Sequence, residues 1–166
     1  MEAVDTLLRE WLGGARRLAV LGAGSTLRAD DGAGVRVVEI LRGIMAGKEC
    51  PSLLLCPGET APENYSGTIR RFGPSHVLAV DAADMGGEPG SVARIDPGDV
   101  GGPTFCSHML PLRVMIDYLA AETGASVLLL GIQPESTAFD APMTPKVEKA
   151  VEELCGCLAG LIGEMF

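Results

Sequence analysis

The chain has 166 residues, 47% of them apolar and 21% charged, and carries a formal net charge of −9. That length suits one domain around one core, and the apolar share excludes wholesale disorder. The acidity argues against a nucleic-acid partner, which needs a basic footprint. It is also lopsided: residues 1–83 sum to −1 and residues 84–166 to −8, so a polyanion is a poor partner for the second half.

In chain order, residues 3–12 place Val4, Leu7, Leu8 and Trp11 on one helical face. This extra N-terminal helix precedes the main fold, with packing at the sheet edge or self-association as its roles. Arg17 to Gly24 reads as a buried strand running into a glycine turn. Asp30 or Asp31 is expected to cap the helix that follows, which Val35, Val38, Ile40 and Leu41 carry to about Met45. Ser52 to Cys56 is a second strand and Ala61 to Phe72 a weaker helix. Ser75 to Ala82 is a third strand, apolar until Asp81.

Ser91 to Ile95 alternates as an edge strand would, and 98–108 reads as loop. Leu110 to Glu122 is a helix with Pro111 in its first turn, and Ser126 to Gln133 another apolar strand. After a loop over 134–142, Thr144 and Pro145 open a final helix striped by Val147, Val151, Leu154, Leu158 and Leu161. Near-continuous apolar strands alternating with helices predict an α/β fold. It is a doubly wound, mostly parallel sheet sandwiched by helices, with one possible antiparallel edge strand, in a single domain over 1–166.

No run approaches the ~20 apolar residues of a membrane span, so no membrane insertion is expected. Glu2, Asp5, Arg9 and Glu10 break any signal-peptide shape. Five cysteines without framework spacing point to reduced thiols and a cytoplasmic protein.

Gly22-Ala23-Gly24 invites a dinucleotide reading, but Leu27 stands where a third glycine would allow close helix–strand approach. In a parallel sheet the working site lies beyond the carboxyl ends of the strands. Three residues belong there: Asp31 in the turn after the first strand, Asp81 at the end of the third, and His108 in the long loop. Two carboxylates and an imidazole suit a divalent ion such as nickel or zinc, with positions left for water or substrate. An acid directly after four apolar strand residues is costly unless used or paired. His76 opens a strand and is expected at the surface. Cys106 and His108 form a rival thiol pair; Cys155 and Cys157, two apart on a helix, read as packing.

These residues resemble the nickel-dependent maturation endopeptidases of [NiFe]-hydrogenases. The resemblance rests on Gly22-Ala23-Gly24-Ser25-Thr26-Leu27 followed by Asp30-Asp31-Gly32, and on Val80-Asp81-Ala82-Ala83-Asp84-Met85-Gly86. It continues through Ser107-His108-Met109-Leu110-Pro111-Leu112 and Leu130-Gly131-Ile132-Gln133-Pro134, then Pro142-Met143-Thr144-Pro145. It covers about residues 17–158, and Ala61-Pro62-Glu63-Asn64 looks like the hydrogenase 3-type branch.

The resemblance implies removal of the C-terminal extension of a [NiFe]-hydrogenase large-subunit precursor after nickel insertion. It also implies that Asp31, Asp81 and His108 contact nickel, carried by the precursor, with Zn2+ or Cd2+ able to substitute in a crystal. Asp31 and Asp81 are expected to be the catalytic residues, with Asp31 as first choice for general base. A non-proteolytic nickel-binding chaperone or recognition module for the precursor is the alternative. A monomer or weak homo-oligomer is expected. Ser25 replaces the family's usual asparagine, a residue that tolerates left-handed backbone.

Overall fold

In the computed structural model, residues 1–96 and 109–166 are described, the side chains of 109–111 excepted. The elements run α1 (Glu2–Trp11), β1 (Leu18–Ala23), α2 (Ala33–Ile44), β2 (Leu53–Glu59), α3 (Ser66–Phe72), β3 (His76–Ala82), β4 (Val92–Arg94), α4 (Met109–Thr123), β5 (Ser126–Ile132) and α5 (Pro145–Met165). Short 3-10 turns at Ala29–Gly32 and Pro62–Tyr65 lead into α2 and α3. The second of these splits the expected helix over 61–72, where Pro62 and Gly67 weaken α-helical continuity.

The five strands lie in the order β2-β1-β3-β5-β4. The first four are mutually parallel and β4 pairs antiparallel with β5, as the alternation over 91–95 predicts. Alternate residues of each strand face opposite layers. Leu18, Val20, Leu78, Val80, Leu128 and Leu130 pack against α1, α2 and α5. Ala19, Leu21, Val77, Ala79 and Leu129 pack against α3 and α4. A sheet covered on both faces explains why its strands are apolar throughout.

Helix α1 packs over a face of the sheet and not at its edge. Val4, Leu8 and Leu12 enter the core beside α5, and Arg9 reaches Glu164 at 2.7 Å. Cys157 follows the same contact, its Sγ donating to Asp5 Oδ1 at 2.9 Å, while Cys155 is buried against Val37. Burial pushes the Cys155 thiol up to about 12 and the Cys157 thiol up to about 11, so both pack as neutral thiols.

Strand β2 forms one border of the sheet. The Ser52 carbonyl accepts from Leu18 N–H, which turns the polar groups of Leu54 and Cys56 toward β1 and those of Leu53, Leu55 and Pro57 outward. Arg42 fills the outward Leu55 carbonyl at 2.8 Å, and Pro57 has no N–H to offer.

The order of the strands creates a crevice. β1 connects outward to β2, whereas β3 lies on β1's other side, so the winding reverses between β1 and β3. Ligand sites in such sheets lie at the carboxyl ends of that pair.

Candidate functional site

Three glycines allow the chain to close tightly over the β1/β3 crevice. A Cβ on Gly34, at the start of α2, would lie 2.1 Å from the Val80 carbonyl and 2.6 Å from that of Ala23. A Cβ on Gly22 would meet the Gly34 carbonyl at 2.0 Å. The close helix–strand approach sought at Leu27 is therefore made by Gly34, while Leu27 points outward at 62% exposure. Gly24 takes the left-handed backbone, with φ of 117°, and its missing Cβ leaves room for the Asp31 carbonyl. Ser25 needs no such backbone. It acts through its main chain, its N–H donating to Asp31 Oδ2 at 2.8 Å, so the exchange of asparagine for serine leaves this contact in place.

Neither acid caps α2. The N-cap is Gly32, without a side-chain bond, because the intervening 3-10 turn places both aspartates upstream of the helix. They divide the work differently. Asp30 is fully buried, at 0% exposure. Its Oδ2 accepts from the N–H groups of Glu135 at 2.8 Å and Ser136 at 2.9 Å, and from the Thr144 hydroxyl at 2.9 Å. Its Oδ1 accepts from Thr144 N–H at 2.6 Å. Thr144 is the N-cap of α5 with Pro145 following, as expected, yet its hydroxyl serves Asp30 and makes no cap bond. Asp30 thus ties the connection between β5 and α5 to the first turn.

Asp31 stands in that turn at 4% exposure, and Asp81 in β3 at 1%. The two acids sit at the carboxyl ends of the neighbouring strands β1 and β3. Asp81 Oδ1 accepts from the following Ala82 N–H at 2.8 Å. Its Oδ2 is the one fully buried side-chain oxygen or nitrogen without a hydrogen-bond partner among the described residues. Burial first, and then the charge of Asp31, push the Asp81 carboxyl up to about 8, against the pull of the Ala82 N–H. A buried acid with an idle oxygen and a like-charged neighbour is destabilised as an anion, which a cation would relieve.

The hard oxygen donors of this pair fit a divalent ion. The third expected ligand, His108, lies outside the described residues, as does Cys106 of the rival thiol pair. Among the described residues no group of three or more His, Cys, Asp or Glu side chains gathers to hold a metal. His76 is at the opposite end of β3 and is half-buried instead of superficial. Its ring meets Trp11 edge-on at 5.0 Å between centroids.

Two contributions near the site escape a reading of the sequence. Asp30's role depends on partners more than 100 residues away. Gln133, buried after β5, accepts from Met85 N–H at 2.7 Å and Gly87 N–H at 3.2 Å and donates to Asp84 Oδ1 at 3.1 Å. It holds the turn after Asp81 against β5. Its signal was available: a polar side chain directly after an apolar strand, the same pattern that singled out Asp81.

Residues 35–160 match the family model HycI, described as hydrogenase maturation protease. The chain belongs to this family. The hydrogenase 3 maturation protease of Escherichia coli K12 is 37% identical over 145 residues, covering 87% of this chain and 90% of that protein. The crystal structure of the [NiFe] hydrogenase maturation protease HycI from Thermococcus kodakarensis superposes with a TM-score of 0.86 at 32% identity, covering 95% of this chain and 99% of that one. The hydrogenase maturating endopeptidase HybD of E. coli follows with a TM-score of 0.74 at 26% identity, over 89% and 93% of the two chains. The α/β fold and the endopeptidase class expected from the sequence are those of these relatives. No helix among the described residues is long and apolar enough to cross a membrane.

Proposed function

We propose that this endopeptidase removes the C-terminal extension of a [NiFe]-hydrogenase large-subunit precursor once the precursor holds nickel. The likeness to the hydrogenase 3 maturation protease favours a hydrogenase of that type as substrate. The observation that carries the reading is the buried, unpartnered Oδ2 of Asp81 beside Asp31. Such a pair is unfavourable as it stands and becomes favourable when a divalent cation is brought to it.

In this reading the metal arrives with the substrate. Asp31, Asp81 and His108 complete the coordination of nickel already seated in the precursor, so binding tests whether the precursor is loaded. Without the cation, Asp81 retains its proton at neutral pH; delivery of a positive charge displaces that proton and turns Oδ2 into a ligand. Bound metal supplies Lewis acidity toward the scissile carbonyl or a more acidic water. Ser25 N–H orients the Asp31 carboxylate through Oδ2, so Oδ1 is the oxygen left to meet the ion and to take a proton from the water bound beside it. Asp31 is accordingly the general base.

The test is direct. Purified protein is incubated with candidate precursors, with and without nickel, and the products are weighed by mass spectrometry. Loss of the C-terminal tail from the loaded precursor alone is expected. Equal cleavage of metal-free precursor overturns the metal-gated reading, and an uncut loaded precursor overturns proteolysis.

A further inference from the structure

We propose that Leu27 and Phe139 form a docking rim that seats an apolar stretch of the precursor chain next to the bond to be cut. This rests on the processing reading above and extends it to recognition.

Leu27 is 62% and Phe139 69% exposed. A single exposed apolar side chain carries little meaning, but these two belong to one built structure. Asp140 N–H donates to the Leu27 carbonyl at 2.8 Å, which joins the segment holding Phe139 to the turn holding Leu27. In that turn Arg28 N–H donates to the Ser25 carbonyl at 3.1 Å, and Ser25 N–H holds Asp31. The rim and the candidate base therefore share a residue.

The rim is braced from beneath. Four donors from Glu135, Ser136 and Thr144 converge on the buried Asp30 carboxylate, and Asp30 N–H returns a bond to the Ser136 carbonyl at 3.0 Å. Burying a carboxylate costs several kcal/mol unless charge-assisted bonds offset it. A connection from β5 to α5 needs no such anchor, and at twelve residues (133–144) it is longer than most. The anchor fixes an apolar tip in solvent. A pre-ordered apolar tip loses little freedom on binding, which is the property of an interface anchor.

The occupant follows from position and from the apolar side chains. Leu27 lies four residues before Asp31 in the same turn, so residues flanking a peptide bond brought to Asp31 come next to this rim. Glu135 and Asp140 on one side and exposed Arg28 beside Leu27 on the other leave the charge around the rim mixed, so the preference for apolar residues of the precursor is set by the exposed Leu27 and Phe139 side chains themselves.

Steady-state processing of nickel-loaded precursor by Phe139→Ser and Leu27→Ser tests the proposal. Each is expected to raise KM on the order of tenfold with kcat within about twofold, the pattern of lost binding without lost chemistry. Phe139→Leu should recover most of the loss. Direct binding of the same precursor to each variant should weaken in parallel, and the melting temperatures should hold because both side chains are exposed. Unchanged KM in both serine variants, or a loss confined to kcat, overturns the rim while the processing reading stands. No tail released by the unsubstituted protein overturns the processing reading, and the rim with it.

Discussion

Strand β3 carries one titratable group at each end, and the two ends contrast. At the amino end His76 lines an open cleft of about 730 Å³ together with Arg16, Arg17, Ser75, Thr123 and Ser126. The polar groups there are occupied: Ser75 Oγ accepts from the N–H groups of Arg16 and Arg17, the Trp11 indole donates to Ser126 at 2.8 Å, and Arg17 lies over Phe72 at 4.1 Å. Partial burial lowers the His76 pKa, with a smaller opposing effect from its contact to Trp11. At the carboxyl end Asp81 is buried with an oxygen left idle. The amino end has room and its polar groups are satisfied; the carboxyl end holds a buried oxygen that is not. Chemistry is marked by the unmet cost of a polar group more than by the size of a hollow.

Substitution can break this contrast. The largest effect belongs to Asp81→Asn, which should lower processing of loaded precursor by about a thousandfold or more while far-UV circular dichroism stays unchanged. Asp30→Ala comes next. It strands the buried N–H groups of Glu135, Ser136 and Thr144, and should lower unfolding free energy by about 2–4 kcal/mol in urea titrations.

The third prediction concerns pH. The Asp81 carboxyl has its pKa raised from 3.8 to about 8 on folding, so between those values the folded state binds more protons than the unfolded one. Stability of the metal-free protein should therefore fall as pH rises from about 5 to 8. Asp81→Asn should flatten that slope in calorimetry. The smallest effect is expected at the other end of β3: His76→Ala should process precursor within about twofold of the unsubstituted rate, its cost confined to a modest loss of stability. A His76 variant as inactive as Asp81→Asn would abolish the distinction between the two ends.

The architecture was legible because burial on both faces forces long apolar runs, and Leu18–Ala23, His76–Ala82 and Ser126–Ile132 carry them. Asp81 was legible for the converse reason, as an acid inside such a run. Asp30 was not. It looks like a cap in sequence, and only its meeting with Thr144, 114 residues away, shows it as an anchor. Gly34 was not legible, because Gly22-Ala23-Gly24 resembles a nucleotide motif whose third glycine falls at position 27. Closeness of helix and sheet is set by whichever glycine faces the strand, not by a fixed spacing. The seat of α1 was equally hidden, since an amphipathic face does not name the surface that covers it.

The guarded border of the sheet has a consequence for how a tail can be read. Arg42 and Pro57 deny an incoming chain the outward positions of β2, and β4, at three residues, is too short to template a long ladder. Addition of a precursor tail as a further strand on β2 is disfavoured, so main-chain pairing, which ignores sequence, contributes less to its capture there. Discrimination falls to side chains and to the charge delivered with them, a selective arrangement for an enzyme that must spare every other extended peptide it meets.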